Sequence, residues 1–254
     1  MCTVSVISLE SSGGYRLVTN RDEQRSRPEG EPPAWRRFGS VSALAPLDPL
    51  SGGTWVATNS VGLSLCLLNG NLEPAPPPPT RPRSRGLIIP ALIGATTLDD
   101  ATDALATIHL DRFAPFRLVI IQMGDHRAAP RVADAFWNGR GLELTRARAL
   151  PACFVSSGLG DSRVTPRFQV FDSIVRPLPI PESQDAFHRH AWPDRPEISV
   201  CMSRADARTV SITAVTVEPV AGASPRIESV HHLTPTASSP AEAPPALAAA
   251  QRFG

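Results

Sequence analysis

The sequence has no lysine, so all 25 of its basic residues are arginines. This absence excludes a Walker-A phosphate loop, a pyridoxal-phosphate Schiff base and a lysine general base, because each needs an amine that a guanidinium cannot replace. Long apolar runs are absent as well. Stretches such as 116–123 fall far short of the ~20 residues that a spanning helix needs. We therefore expect no membrane span and no chemistry that depends on a lysine side chain.

Neither charge nor cysteine is concentrated in one part of the chain. The formal net charge of +1 argues against a nucleic-acid partner, which normally requires a basic stripe. The four cysteines are too far apart for a zinc site, which presents them in pairs. The first residues lack the basic and unbroken apolar regions of a signal peptide. We expect a cytoplasmic protein with no metal and no cofactor, in which Cys66 and Cys201 are buried, inert thiols.

Hydrophobic periodicity predicts strands and helices that come in blocks. Two hairpins are followed by two helices, a meander of strands, a third helix and further strands, an order that favours an α+β layered architecture over a doubly wound sheet. The proline-rich stretch 74–85 is predicted to be an exposed connection in an extended polyproline conformation, and the proline-rich stretch 177–196 is predicted to be irregular. We expect a single domain over 1–233 and a disordered Ala/Pro-rich tail over 234–254. The predicted strands are 2–9, 15–19, 54–58, 61–68, 116–122, 131–137, 142–145, 198–202, 208–217 and 226–232, and the predicted helices are 84–93, 98–108 and 165–175.

Cys2 is the first candidate for chemistry. Its small side chain favours removal of Met1, which would leave a thiol and a free α-amine on one carbon. The amine has an unperturbed pKa of about 7.7–8.0, so a nucleophile and its own general base would come from a single residue. The alternative is that Cys2 is a small apolar residue that merely begins a strand.

Two polar clusters end strands near this residue. The tetrad Asn20-Arg21-Asp22-Glu23 closes the hairpin that begins with Cys2, so Asp22 could orient the α-amine. Arg21 could lower the pKa of the thiol or bind a substrate carboxylate. Asn69 follows the strand 61–68, where its amide could stabilise an oxyanion. Ordinary polar turns have the same composition, so each cluster is also compatible with a turn that has no function.

Taken in order along the chain, these motifs resemble the NRDE family, which includes the transport and Golgi organisation 2 proteins. Met1-Cys2-Thr3, the tetrad and the strand that ends at Asn69 carry the resemblance most specifically, and it extends to about residue 217. Further matches are Gly52-Gly53-Thr54-Trp55, Ser84-Arg85-Gly86, Ser157-Gly158-Leu159 with Asp161, and Arg208-Thr209.

The family in turn resembles the N-terminal-nucleophile hydrolases, and this resemblance implies a fold and a site. The fold would be a four-layer αββα sandwich of two mainly antiparallel sheets flanked by helices, and the reaction would be cleavage of a non-peptide amide bond. Carried over position by position, Cys2 is similar to the nucleophile, Asp22 to the acid that contacts the amine, and Asn69 to the oxyanion asparagine. Arg208 is similar to a second active-site arginine. The candidates for substrate binding are Asn20, Arg21, Trp55 and Ser157.

One departure from the family pattern bears on activity, because Ser157 stands where the family usually has an asparagine of longer reach. The leading hypothesis is an amidohydrolase acting on a small acyl-amide substrate. The alternative is a non-catalytic protein on the same fold that binds and traffics haem, acyl-CoA or another lipid. His188, His190 and the pair His231-His232 have no Asp or Cys cluster beside them, so we expect surface residues rather than metal ligands.

Overall fold

Two antiparallel β-sheets lie face to face, with helices on the outer side of each. The computed structural model describes residues 2–9, 13–125 and 128–234. The strands are β1 Cys2–Ser8, β2 Tyr15–Gln24, β3 Glu31–Phe38, β4 Val41–Leu47, β5 Val56–Asn59, β6 Leu63–Asn69, β7 Phe116–Gln122, β8 Arg131–Trp137, β9 Leu142–Thr145, β10 Ala152–Ser156, β11 Ala207–Val220 and β12 Ala223–Leu233. The helices are α1 Ile88–Leu92, α2 Leu98–Thr107, α3 Pro166–Ile174 and α4 Pro181–Arg189. One sheet has the order β10-β1-β2-β11-β12 and the other the order β3-β4-β5-β6-β7-β8-β9.

The space between the sheets is filled by alternate residues of the strands. Val4 and Val6 of β1 and Leu17 of β2 point into this core, as the two-residue period of a strand with one buried face requires. Cys66 and Val119 meet them from the seven-stranded sheet. The predicted alternation of β1 and β2 therefore decides which of their residues face the other sheet and which face the helices.

The outer face of the seven-stranded sheet is covered by α1 and α2. Ile88, Leu92 and Leu105 pack against Leu65 and Leu118 in an apolar layer. Helices α3 and α4 cover the outer face of the five-stranded sheet, where Phe171 and Phe187 pack on Ile7. The predicted α+β fold, a four-layer αββα sandwich of two antiparallel sheets, is confirmed.

The contact between α4 and the five-stranded sheet is polar as well as apolar. His188 is fully buried there, with Nδ1 2.6 Å from Oδ1 of Asn20 and Nε2 2.6 Å from Oγ of Ser5. An amide oxygen can only accept, so Nδ1 carries the proton and Nε2 accepts from the Ser5 hydroxyl. Burial, aided by nearby Arg16, lowers the pKa of His188 well below its usual value, and the ring is neutral. The prediction that His188 lies at the surface was wrong, because α4 turns it towards the sheet.

Three other predictions need correction or lie outside the described residues. The stretch 177–196 is not irregular throughout, since it contains α4, whose Pro181 occupies the first turn, where proline is tolerated. The strand predicted at 198–202 is absent from the described chain, which has a 3₁₀ turn over Pro196–Ile198 and then irregular backbone. Cys66 is fully buried as predicted, whereas Cys201 is partly exposed. Of the tail predicted to be disordered, residues 235–254 lie outside the described part of the chain.

Candidate active site

Cys2 lies in β1 between two paired strands, opposite Arg21 of β2 and Ser156 of β10. Its side chain is only 6% exposed, and its thiol accepts a hydrogen bond from the backbone N–H of Asp22. It borders a cavity of about 300 Å³, called the Cys2 cavity from here on. Of the residues predicted for the site, this cavity is also lined by Arg21, Asp22, Trp55 and Asn69.

The environment of the Cys2 thiol favours its protonated form. Burial raises the pKa of the thiol, and the negative charge of Asp22 adds to the rise. The charge of Arg21 and the Asp22 N–H act in the opposite direction, but desolvation outweighs them. The thiol is therefore neutral near pH 7, and a base must take its proton before it can act as a nucleophile.

The Asp22 carboxyl group lies on the helix-facing side of the five-stranded sheet. Its Oδ1 accepts from the Thr209 hydroxyl at 2.6 Å, and its Oδ2 lies 3.8 Å from Nη1 of Arg167 on α3. Burial raises the pKa of this carboxyl group, and the charge of Arg167 opposes the rise. Arg167 is held in turn by Thr3 and Ile198, through donor distances of 2.7 and 3.0 Å. Arg167 was not predicted, and no local pattern in the sequence distinguishes it from a surface arginine.

Arg21 is fixed between an aromatic ring and a carboxylate. Its guanidinium carbon lies 4.4 Å from the ring centroid of Trp55, a cation–π distance, and its Nη2 lies 3.4 Å from Oε2 of Glu23. Trp55 is only 8% exposed and packs in the inter-sheet core while it also lines the cavity. Arg27 joins the same charge cluster through Glu23 and Asp48. These cations and carboxylates compensate one another along one wall of the Cys2 cavity.

Arg85 also lines the Cys2 cavity, although it was not predicted as a site residue. Its position depends on a close contact between two glycines. The N–H of Thr54 donates to the Gly86 carbonyl at 3.0 Å, and a Cβ on Gly53 would come within 2.5 Å of the Gly86 carbonyl carbon. Only a residue without a side chain at position 53 allows this approach. The signal that could have identified Arg85 is its place within the Ser84-Arg85-Gly86 motif, next to one of these glycines.

The turns that follow β6 and β10 are joined by Asp161. Its carboxylate accepts from the backbone N–H of Asn71 at 3.0 Å and from that of Ser157 at 2.9 Å. The Ser157 hydroxyl accepts from the backbone N–H of Leu159 at 3.2 Å. Ser157 is buried and is not part of the Cys2 cavity lining. In this chain the residue at the family's asparagine position therefore closes a turn next to the site.

Two further predicted residues lie outside the Cys2 cavity. The amide nitrogen of Asn20 donates to the carbonyl oxygens of His188 and Val200 at 2.9 and 2.8 Å, which holds the middle of β2 against α4 and the segment that follows it. Nη1 of Arg208 donates to the carbonyl and the hydroxyl of Thr234 at 2.6 and 2.9 Å. The structure thus brings five of the predicted residues together at the Cys2 cavity. Asn20, Arg208 and Ser157 lie outside its lining and hydrogen-bond to neighbouring segments.

A second cavity of about 430 Å³ shares Arg85 with the first. We call it the proline-lined cavity, because one wall is the proline-rich stretch that was predicted to be an exposed, extended connection. Its apolar lining comes from Leu72, Ala75, the prolines at 76–79, Ala114, Pro115 and Leu159. The polar Cys2 cavity and the largely apolar proline-lined cavity therefore have one lining residue in common, Arg85.

Two kinds of feature are not found among the described residues. No group of three or more His, Cys, Asp or Glu side chains is arranged to hold a metal ion in 2–9, 13–125 and 128–234. None of the helices within these ranges has the length and apolar character needed to cross a membrane.

The αββα sandwich of two antiparallel sheets is an N-terminal-nucleophile-hydrolase-like fold. One solved structure with this likeness is an N-acylethanolamine-hydrolyzing acid amidase ortholog from Caenorhabditis elegans, with 14% identity, a TM-score of 0.54, and coverage of 84% of this chain and 92% of the other. Another is a mutant conjugated bile acid hydrolase from Clostridium perfringens, with 12% identity, a TM-score of 0.48, and coverage of 91% and 92%.

The sequence itself assigns the family. The chain belongs to the Transport and Golgi organisation 2 family, whose model matches residues 1–136. No curated protein matches the chain. The family resemblance carried by the motifs of the first seventy residues is confirmed.

Proposed function

We propose that the chain is an amidohydrolase in which Cys2 is the nucleophile and its own α-amine, freed by removal of Met1, is the general base. The observation that carries this proposal is the convergence of the Cys2 thiol, the Asp22 segment and Asn69 on one cavity. The thiol is neutral and needs a base, and the sequence has no lysine. Among the described residues that line the cavity there is no histidine either. The α-amine supplies the missing base.

The reaction proceeds through a thioester. The α-amine takes the thiol proton, and the thiolate sulfur attacks the amide carbonyl carbon to give a tetrahedral oxyanion. The Asn69 amide and a backbone N–H donate hydrogen bonds to that oxygen. As the carbon–nitrogen bond breaks, the ammonium group returns its proton to the leaving amine. Water then attacks the thioester with the α-amine as base, which releases the acid and restores the thiol.

The remaining residues support these steps. Asp22 carries the negative charge that holds the protonated amine, and the charge of Arg167 opposes the neutralisation of that carboxylate by burial. Arg21 and Trp55 shape the cavity wall and bind substrate. Asn20 acts as a positioning residue through α4. For Arg208 we propose an indirect role, in which its hydrogen bonds to Thr234 tie β11, the strand that pairs with β2, to the residue that follows β12.

The fold of the nematode amidase supports this proposal, since that protein hydrolyses an amide. The first test is the intact mass of the purified protein, which should lack Met1. The second test compares wild type with Cys2→Ala on N-acyl amino acids and acyl-homoserine lactones. Loss of the nucleophile should lower kcat by at least about a thousandfold. Cys201→Ala is the matched control, because Cys201 is a partly exposed thiol that does not line the cavity, and its turnover should be unchanged.

Two results would contradict the proposal: an active protein that retains Met1, or equal turnover by wild type and Cys2→Ala. The carrier alternative predicts a different pattern. A Soret shift on titration with haem that survives Cys2→Ala, together with no turnover that depends on Cys2, would favour a binding protein on this fold. The same holds for acyl-CoA if binding is saturable and no hydrolysis follows.

A further inference from the structure

Arg85 is the cation at the junction of the two cavities. It lines both the Cys2 cavity and the proline-lined cavity, and its Nη1 donates to the Pro115 carbonyl at 2.9 Å. In the part of the chain that the structure describes, no carboxylate oxygen lies within 4.0 Å of its guanidinium. Arg21 and Arg27, the other two arginines of the Cys2 cavity, both have carboxylate partners.

The Arg85 guanidinium is half-buried, and partial desolvation of a cation costs free energy unless an anion compensates it. Burial lowers the pKa of Arg85, while negative charge at Cys2 (as the thiolate), Asp161 and Glu23 opposes that change from beyond ion-pair distance. The planar fork of a guanidinium matches a carboxylate, which it can bind through two parallel hydrogen bonds. Arg85 is therefore a half-buried cation for which the described residues provide no anion within contact distance.

The position of Arg85 limits what an anion bound there belongs to. A carboxylate bound at the junction lies next to the Cys2 cavity, where the reacting amide would be. A group attached beside the carboxylate would enter the proline-lined cavity, whose walls include Leu72, Ala75, Pro115 and Leu159. A volume of about 430 Å³ is within the range of small-molecule sites and accepts an aromatic or branched aliphatic side chain. One carbon that bears an amide nitrogen, a carboxylate and an apolar side chain meets all three requirements.

We propose that Arg85 binds the carboxylate of an N-acyl amino acid, whose apolar side chain occupies the proline-lined cavity and whose amide faces Cys2. The leaving group is then an apolar amino acid. This inference rests on the proposed function for the hydrolysis itself, whereas recognition of the carboxylate is a binding property that can be measured without turnover.

The kinetic test compares N-acetyl-L-phenylalanine with N-acetyl-phenethylamine, which differ only in the carboxylate. Arg85→Gln should lower kcat/KM for the first substrate by about tenfold to a hundredfold, the usual effect of losing a hydrogen-bonded charge, and should affect the second much less. Arg83→Gln is the matched control, since Arg83 is exposed, lies two residues away and lines neither cavity. If Arg85→Gln slows both substrates equally, Arg85 acts on the thiolate or the oxyanion and the proposal is overturned.

The binding test uses variants that cannot hydrolyse the ligand. Titration calorimetry should detect N-acetyl-L-phenylalanine binding to Cys2→Ala and a loss of that binding in Cys2→Ala/Arg85→Gln. If binding depends on Arg85 but the wild type shows no turnover, the carboxylate site is supported and the proposed hydrolysis fails. If the wild type hydrolyses neutral amides but ligand binding does not depend on Arg85, the proposed hydrolysis is supported and the carboxylate site is refuted.

Discussion

Replacing Arg167 by methionine should expose the electrostatic cost of the buried Asp22 carboxylate. The two side chains are 1% and 0% exposed and lie 3.8 Å apart, so methionine keeps the apolar bulk but leaves the carboxylate without its cation. Loss of one partner from a buried ion pair costs about 3–5 kcal/mol. Against a typical total stability of about 5–15 kcal/mol, this is a large fraction of the free energy of unfolding.

The pH dependence of this loss has a definite sign. Burial raises the native pKa of Asp22 above its unfolded value, and removal of Arg167 raises it further. Between the unfolded and native pKa values the native state holds the extra proton, so stability rises as the pH falls. The difference between wild type and Arg167→Met should therefore be greatest near pH 7 and shrink on acidification.

The assay is urea unfolding of wild type, Arg167→Met, Asp22→Asn and the double variant at pH 7 and at pH 5. The double variant should recover most of the loss, because asparagine carries no charge that needs Arg167. Arg176→Met is the control, since Arg176 pairs with Asp172 at the surface and should cost under about 1 kcal/mol. A loss that is the same at both pH values and in the Asp22→Asn background would refute the reasoning. Arg167 would then act through Thr3 and Ile198 alone.

Two further predictions concern the architecture around the site. His188→Gln should flatten the stability profile below pH 7: the native imidazole resists protonation, so wild type loses up to about 1.4 kcal/mol per pH unit as the unfolded histidine titrates near 6.5. Urea unfolding at pH 7.5 and 5.5 measures this, and equal slopes for both proteins would contradict it. Gly53→Ala should cost about 1–3 kcal/mol, because its Cβ meets the Gly86 backbone at 2.5 Å. Thermal unfolding measures it against Gly141→Ala, where no atom lies within 4 Å, and similar shifts in Tm would count against the contact.

The predictable part of the fold consists of strands that bury one face against an apolar layer. β1 places alternate residues in the inter-sheet core, whereas β6 and β7 contribute residues to both apolar cores. The alternating or continuous apolar pattern of these strands in the sequence follows from this burial. β3 was missed because it is an edge strand with two prolines and mostly exposed side chains. α4 was missed because its buried residues include Gln184 and His188, which hydrogen-bond to a polar sheet face and give no apolar stripe.

The predictable part of the site consists of residues on neighbouring strands close in sequence. Cys2 and Arg21 belong to one hairpin, so their pairing follows from the turn between them. Arg85 and Arg167 reach the site through tertiary contacts, which the hydrophobic periodicity of the local sequence does not predict. Arg167, for example, bonds to a side chain 164 positions away. Ser157 was placed next to the site by the resemblance, but its hydrogen bond to Leu159 could be found only from the structure.

The sheet that carries Cys2 interleaves distant parts of the chain. All the residues that line the Cys2 cavity lie between positions 2 and 86, well inside the region 1–136 that the family model matches. Yet β1 is flanked by β10, and β2 by β11, so both edges of the first hairpin are completed by residues beyond 150. Such long-range pairing is slow to form, because the entropy cost of closing the long intervening loop comes before the stabilising contacts are made. A fragment ending at residue 136 would hold every lining residue of the cavity and still present two open strand edges where the finished protein has a site.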